Sequence, residues 1–161
     1  MSILKHSGAV SILHAFLDAS RWRSVREEKG KIPQKTVHVY VLETGGCEGC
    51  HMEVETLAGS AFALEKYGFK KVTDPVEADW LLVTGAMSRS CVNMLERVWN
   101  TMPQGKSLIA VGQCAIDGGI FGNSYATLGG LDKLTAVKRM IPGCPPSPHE
   151  ILNGLRNIIE N

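Results

Sequence analysis

The chain has 161 residues, 44% hydrophobic and 20% charged, with a formal net charge of +1, a composition that supports one good core and is too short for two comfortable ones. No apolar run approaches the roughly 20 residues needed to cross a bilayer, and the N-terminus lacks the basic start, apolar block and cleavage site of a secretory signal, so a chain kept on the cytosolic side is expected. Five cysteines stay reduced there, which points to metal or redox chemistry rather than a disulfide framework.

The small net charge hides an uneven distribution. Residues 1–36 carry seven lysines and arginines against three acids, a net of +4, while the remainder carries ten against thirteen, a net of −3. A basic extension therefore precedes a mildly acidic domain over 37–161, with Lys29-Gly-Lys-Ile-Pro33 as the linker. Within the extension Val10, Leu13, Phe16 and Leu17 recur at helical spacing, broadened by Ile3, Leu4, Ile12 and Trp22 and followed by Arg21, Arg23 and Arg26. Such an amphipathic helix suits a membrane edge or a partner's groove, or a place on its own domain. Nucleic acid is not an expected partner, because the basic residues are confined to this extension and the core is acidic.

From residue 37 strand and helix signals alternate. Val37 to Leu42 reads as a first strand, and the loop Glu43-Thr-Gly-Gly-Cys-Glu-Gly-Cys50 leads into a helix over about 51–67, with Leu57, Ala58, Ala61 and Leu64 inward. Phe69 to Thr73 is a short second strand. Pro75 marks the turn before Trp80-Leu-Leu-Val-Thr84, an apolar run of the kind buried on both faces of a parallel sheet. A helix over about 90–102 turns Val92, Leu95, Val98 and Trp99 inward. Ser107 to Val111 is a fourth strand, Ala136 to Ile141 a fifth, and a last helix runs from about Ser147 to Ile159. This order predicts an α/β fold, a flavodoxin-like doubly wound parallel sheet with an N-terminal amphipathic helical extension.

Open parallel sheets hold their ligands beyond the carboxyl ends of the strands. Cys47 and Cys50 follow the first strand, Cys114 the fourth and Cys144 the fifth, so three strand ends deliver four thiols to one edge. Four thiolates suit a tetrahedral zinc or a 4Fe-4S cluster. Glycine and proline in all three loops favour the cluster, whose sulfides need close backbone approach and N–H donors; zinc ribbons use two CxxC knuckles, and one CxxC is present. Cys91, six residues past the third strand, is not excluded by geometry but falls at a helix start, where a free cysteine commonly serves as a small core residue.

The segments Gly45-Gly-Cys-Glu-Gly-Cys-His-Met-Glu53, Gly112-Gln-Cys-Ala-Ile-Asp-Gly-Gly-Ile-Phe-Gly122 and Ile141-Pro-Gly-Cys-Pro-Pro-Ser-Pro148 resemble, in the right order, the small subunit of nickel-iron hydrogenases and its relative in respiratory complex I. The resemblance covers about residues 37–155. It implies that Cys47, Cys50, Cys114 and Cys144 hold one proximal 4Fe-4S cluster facing a hydrogenase-like large subunit, with Glu53 at an acidic position near that interface. Cys47-Glu-Gly-Cys50 resembles the hydrogenase side, since complex I members have adjacent cysteines there. Uptake hydrogenase small subunits continue into a domain with two more clusters. This sequence stops at Asn161, which resembles the small subunits of membrane-bound, energy-converting hydrogenases.

What the resemblance implies is an electron-relay subunit of a multisubunit oxidoreductase with no bond-making catalysis of its own. A ferredoxin-like iron–sulfur subunit would deliver electrons and the large subunit's nickel-iron site would reduce protons. Membrane subunits contacted near the N-terminal helix would couple the flow to ion translocation, at the cytoplasmic side of the cell membrane. Around the ligands, Gly46, Gly49 and Gly143 are expected N–H donors to sulfur, Asp117 a turn or interface residue, and Arg89 the cation best placed to reach the ligand edge. His51 is expected at a helix start and His149 at an exposed one. Alternatives are an equivalent relay in a quinone-reducing or sulfur-compound-reducing complex, and a non-redox zinc module. A flavodoxin would use a hydroxyl-rich phosphate loop that Glu43 to Cys50 does not resemble.

Overall fold

The computed structural model describes residues 35–132 and 136–160; the N-terminal extension lies outside the described residues. Five strands, β1 (Val37–Glu43), β2 (Phe69–Lys71), β3 (Trp80–Thr84), β4 (Ser107–Val111) and β5 (Val137–Ile141), form one sheet in the order β2-β1-β3-β4-β5, and every pairing is parallel. This is the doubly wound, flavodoxin-like order that the strand and helix alternation predicts.

Helices cover both faces because the strands are apolar on both. Every residue of β3 and β4 is buried. Val39, Trp80, Leu82, Ile109, Val111 and Ile141 point to one side, where α1 (Gly49–Ala58) supplies Val54 and Leu57 and α4 (Pro148–Glu160) supplies Ile151 and Leu155. Leu42, Leu81, Val83, Leu108 and Ala110 point to the other, with Leu131 and the half-buried Val92, Leu95, Val98 and Trp99 of α2 (Val92–Thr101). Ser147 and Glu150 start α4 as a reciprocal cap: the Ser147 N–H and hydroxyl donate to Glu150 Oε2 at 2.7 and 2.8 Å, and the Glu150 N–H donates back to Ser147 Oγ at 3.4 Å.

Two elements depart from the sequence expectation. The helix expected to reach residue 67 stops at Ala58. Gly59 is extended there and Ala63 takes a positive φ of 47°, so a separate 3₁₀ turn, Leu64–Tyr67, carries the chain to β2. As a result Ala58 and Ala61 are exposed, and the inward face of α1 is Cys50, Val54 and Leu57. The loop expected after β4 contains a short helix, α3 (Gln113–Asp117), too short for a hydrophobic period to register.

Candidate metal centre

The sheet order places the strand ends that matter side by side. β3 lies between β1 and β4, and β5 lies beyond β4, so the loops bearing Cys47 and Cys50, Cys114 and Cys144 leave the sheet around the end of β3, beside the switch point between β1 and β3. Cys50 is the second residue of α1 and Cys114 the second of α3, and both are buried; Cys47 and Cys144 are exposed in loops. Cys91 precedes α2 and packs against the apolar cluster on the sheet's other face.

Electrostatics reports the convergence. Burial and then the negative charge of Cys114, Cys47 and Cys144 push the Cys50 thiol up from 9.0 to about 11. Cys114 is also pushed up, by burial first and then by Cys144, Cys47 and the Asp117 carboxylate. Cys91 enters neither set of influences. In the metal-free chain the folded state keeps the Cys50 proton where the unfolded state loses it. This stabilisation is complete below about pH 9 and disappears as pH rises to about 11. Chemical unfolding of the metal-free protein followed between pH 8 and 11 is expected to show that decline, and C50S is expected to flatten it. A cation bound by the four sulfurs reverses the preference, because coordination deprotonates a thiol outright.

Glycines make the close approaches. A Cβ on Gly112, which has φ +86°, would sit 2.3 Å from Cys50 Sγ, and one on Gly119, φ +52°, would sit 3.0 Å from Cys114 Sγ. The ends of β1 and β3 meet as tightly: a Cβ on Gly85 would lie 1.8 Å from the Gly45 carbonyl oxygen. The buried Thr44 seals that crossing, its N–H donating to the Thr84 carbonyl at 2.9 Å and its hydroxyl to the Thr84 and Gly85 carbonyls at 3.0 and 3.2 Å. Gly112 and Gly119 escaped the sequence reading as site residues, although both lie in the quoted 112–122 segment; only the fold brings them against sulfur.

The other expected site residues divide. The backbone N–H groups of Gly46 and Gly143 make no hydrogen bond among the described residues and remain available as donors. Gly49 opens α1 within 3.5 Å of Cys47 Sγ, measured from a built Cβ. The Asp117 carboxylate caps its own loop, accepting from the Gly119 N–H at 2.8 Å and from the Gln113 side chain, and these bonds hold it below its ordinary pKa. Glu53 is half-buried on α1. Arg89 does not reach toward the thiols. Its guanidinium donates to the Ser124 carbonyl at 3.1 Å and its N–H to the Ala126 carbonyl at 2.9 Å, so it pins the 122–128 loop. His51 sits 3.5 Å from Glu55, which also pairs with Lys71.

The donor set and its surroundings fit an iron–sulfur cluster. Thiolates are the soft ligands such clusters take, and bare glycine backbone stands where bulky inorganic sulfides need room. Two buried polar atoms in residues lining the same small cavity as Cys47, Cys50 and Cys114, His51 Nδ1 and Thr84 Oγ1, have no hydrogen-bond partner among the described residues. Among the described residues no group of three or more His, Cys, Asp and Glu is gathered to hold a metal ion.

Residues 47–158 match the family model described as NADH ubiquinone oxidoreductase, 20 kDa subunit. This chain belongs to that family. The family is one of oxidoreductase subunits. The chain is similar to formate hydrogenlyase subunit 7 of Escherichia coli, 40% identical over 121 residues that make 75% of this chain and 48% of that protein. NAD(P)H-quinone oxidoreductase subunit K of Lotus japonicus chloroplasts is 38% identical over 70% of this chain and 50% of its own length. The chain thus spans about half the length of these two relatives. A protein of Methanocaldococcus jannaschii matches more evenly, 38% identical over 78% of this chain and 84% of its own. Among solved structures, a chain of an archaeal membrane-bound sulfane sulfur reductase superposes with a TM-score of 0.68 at 28% identity, covering 79% of this chain and 71% of that one. A chain of an NAD+-reducing [NiFe]-hydrogenase superposes at 0.59 and 20% identity over 78% of this chain and 92% of its own, a likeness of fold.

Proposed function

We propose that this chain is an electron-relay subunit that holds one 4Fe-4S cluster on Cys47, Cys50, Cys114 and Cys144. The observation that carries this is that the ends of β1 and β4 bring Cys47, Cys50 and Cys114 around one small cavity, with Cys144 in the loop after the neighbouring strand β5. Bound there, the cluster supplies reversible one-electron chemistry. The chain's own residues then have defined tasks. The buried Cys50 and Cys114 anchor the inner side, on the first turns of α1 and α3, while Cys47 and Cys144 close the outer side. Gly46 and Gly143 offer N–H groups to sulfur, which favours the more negative, reduced state. Pro145 and Pro146 after Cys144 have no N–H and stiffen the wall.

Electrons pass, in this proposal, between a ferredoxin-like iron–sulfur subunit and a hydrogenase-like large subunit of a membrane-bound complex, on the cytoplasmic side of the membrane. The overall reaction is proton reduction or hydrogen oxidation coupled to ion translocation. The likeness to formate hydrogenlyase subunit 7 supports that assignment. Met52, two residues past Cys50, and Ile120, Phe121 and Tyr125, in the loop after α3, are large apolar side chains left exposed, a surface suited to a protein partner. No helix among the described residues is long and apolar enough to cross a membrane; the basic residues 1–36 are proposed as the contact with membrane subunits.

A second reading, a relay in a complex that reduces sulfur compounds, is favoured by the 0.68 superposition; the large subunit that copurifies decides between them. The zinc module is separated by metal content. The complex purified anaerobically is expected to carry about four iron and four sulfide assignable to this chain, with a low-temperature EPR signal on reduction. Zinc without iron overturns the relay.

A further inference from the structure

Side chains alternate between the two faces of β3. Trp80 and Leu82 belong to the core beneath α1 and α4, so Thr84 is the next residue on that face, where the strand gives way to the cysteine loops. Its register partners Glu43 and Val111 end the strands that lead to Cys47 and Cys50 and to Cys114. Thr84 is only 1% exposed and lines one small cavity with Gly46, Cys47, Cys50 and Cys114.

The Thr84 hydroxyl has no hydrogen-bond partner among the described residues. The equally buried Thr44 beside it uses its hydroxyl on two carbonyls, so this end of the sheet does not lack acceptors in general. Buried hydroxyls are kept in folds because something accepts from them. Thr84 is not paired with any cysteine sulfur, which leaves as acceptor an atom of whatever occupies the cavity those sulfurs line.

We propose that the Thr84 hydroxyl donates a hydrogen bond to an inorganic sulfide of the cluster and raises its reduction potential. This rests on the relay proposed above. Reduction adds negative charge that is shared by the sulfurs, so a fixed donor holds the reduced state more strongly than the oxidised one. Thr84 is the side-chain counterpart of the backbone donors at Gly46 and Gly143, and it is better shielded from water because it comes from the middle strand.

Valine in place of Thr84 keeps the shape and removes the donor. In the anaerobically purified complex, T84V is expected to retain its iron and to lower the reduction equilibrium about three- to tenfold, up to ~59 mV for a one-electron couple. After exchange into D2O, pulsed EPR is expected to lose one strong deuteron coupling in T84V and to keep it in T84S, whose potential returns toward that of the unaltered protein. If T84V does not load iron, T84A makes the same comparison without the hydroxyl. A donor-free variant with an unchanged potential and every deuteron coupling intact overturns the assignment and leaves the relay standing. An unaltered complex with no iron on this chain brings down the relay and this assignment together.

Discussion

Serine in place of Cys114 is expected to strip the iron from this chain's site, whereas serine in place of Cys91 is expected to leave iron content and EPR signal unchanged. The contrast isolates position from residue type, since both thiols lie at helix starts beyond strand ends. Cys114 is buried at the second position of α3, and Cys144, Cys47 and Asp117 act on it electrostatically. Cys91 packs against the apolar cluster of α2 and exerts no electrostatic influence on Cys50 or Cys114. A serine oxygen is a hard donor that keeps its proton near neutral pH, a poor replacement for a soft thiolate. In the Cys91 site the same exchange removes only a small, half-buried packing group, a change expected within about 1 kcal/mol. Retention of the full cluster in C114S, or its loss in C91S, would replace the ligand set assigned here.

How far the sequence alone reaches is seen by comparing residues. Trp80–Thr84 and Ser107–Val111 coincide with their expected bounds, because a short run of apolar residues between turn signals leaves little choice of conformation. The cysteines could be allotted to one edge because the parallel alternation fixes which ends of the strands carry loops. The helix expected over about 51–67 runs through Gly59, which instead ends α1 and hands the rest to a 3₁₀ turn. The partner of Arg89 could not be read either, because its acceptor, the Ser124 carbonyl, lies 35 residues away, in a loop with no pattern to reveal its path. The unpaired hydroxyl of Thr84 had no sequence signal either, since being unpaired is a property of neighbours drawn from three different strand ends.

Alanine at Gly112 is expected to unseat the cluster, and alanine at Gly105 to leave it in place, although both glycines have a positive φ. Their φ values are +86° and +84°, so both substitutions incur strain on the order of 1–3 kcal/mol, and the ψ of 158° at Gly112 places it in a region that essentially only glycine adopts. The surroundings differ. Around Gly105 a new Cβ meets nothing within 4 Å, while at Gly112 it would stand 2.3 Å from Cys50 Sγ and 3.4 Å from Cys50 Cβ. The Gly112 backbone has little freedom to retreat: its N–H donates to the Ile141 carbonyl at 2.8 Å, and its own carbonyl accepts from Ala115 and Ile116 at 3.1 Å each. Cys50 is the softer partner and can rotate its sulfur away, which relieves the contact and takes the thiol out of reach of the other three. Stability loss in G112A should therefore exceed that of G105A by at least about 1–3 kcal/mol, several degrees in thermal unfolding of the metal-free chain, while iron content falls toward zero in G112A alone. Equal iron in both variants would mean that Cys50 Sγ does not need the space beside Gly112, and would move the inner ligand away from the place the fold gives it.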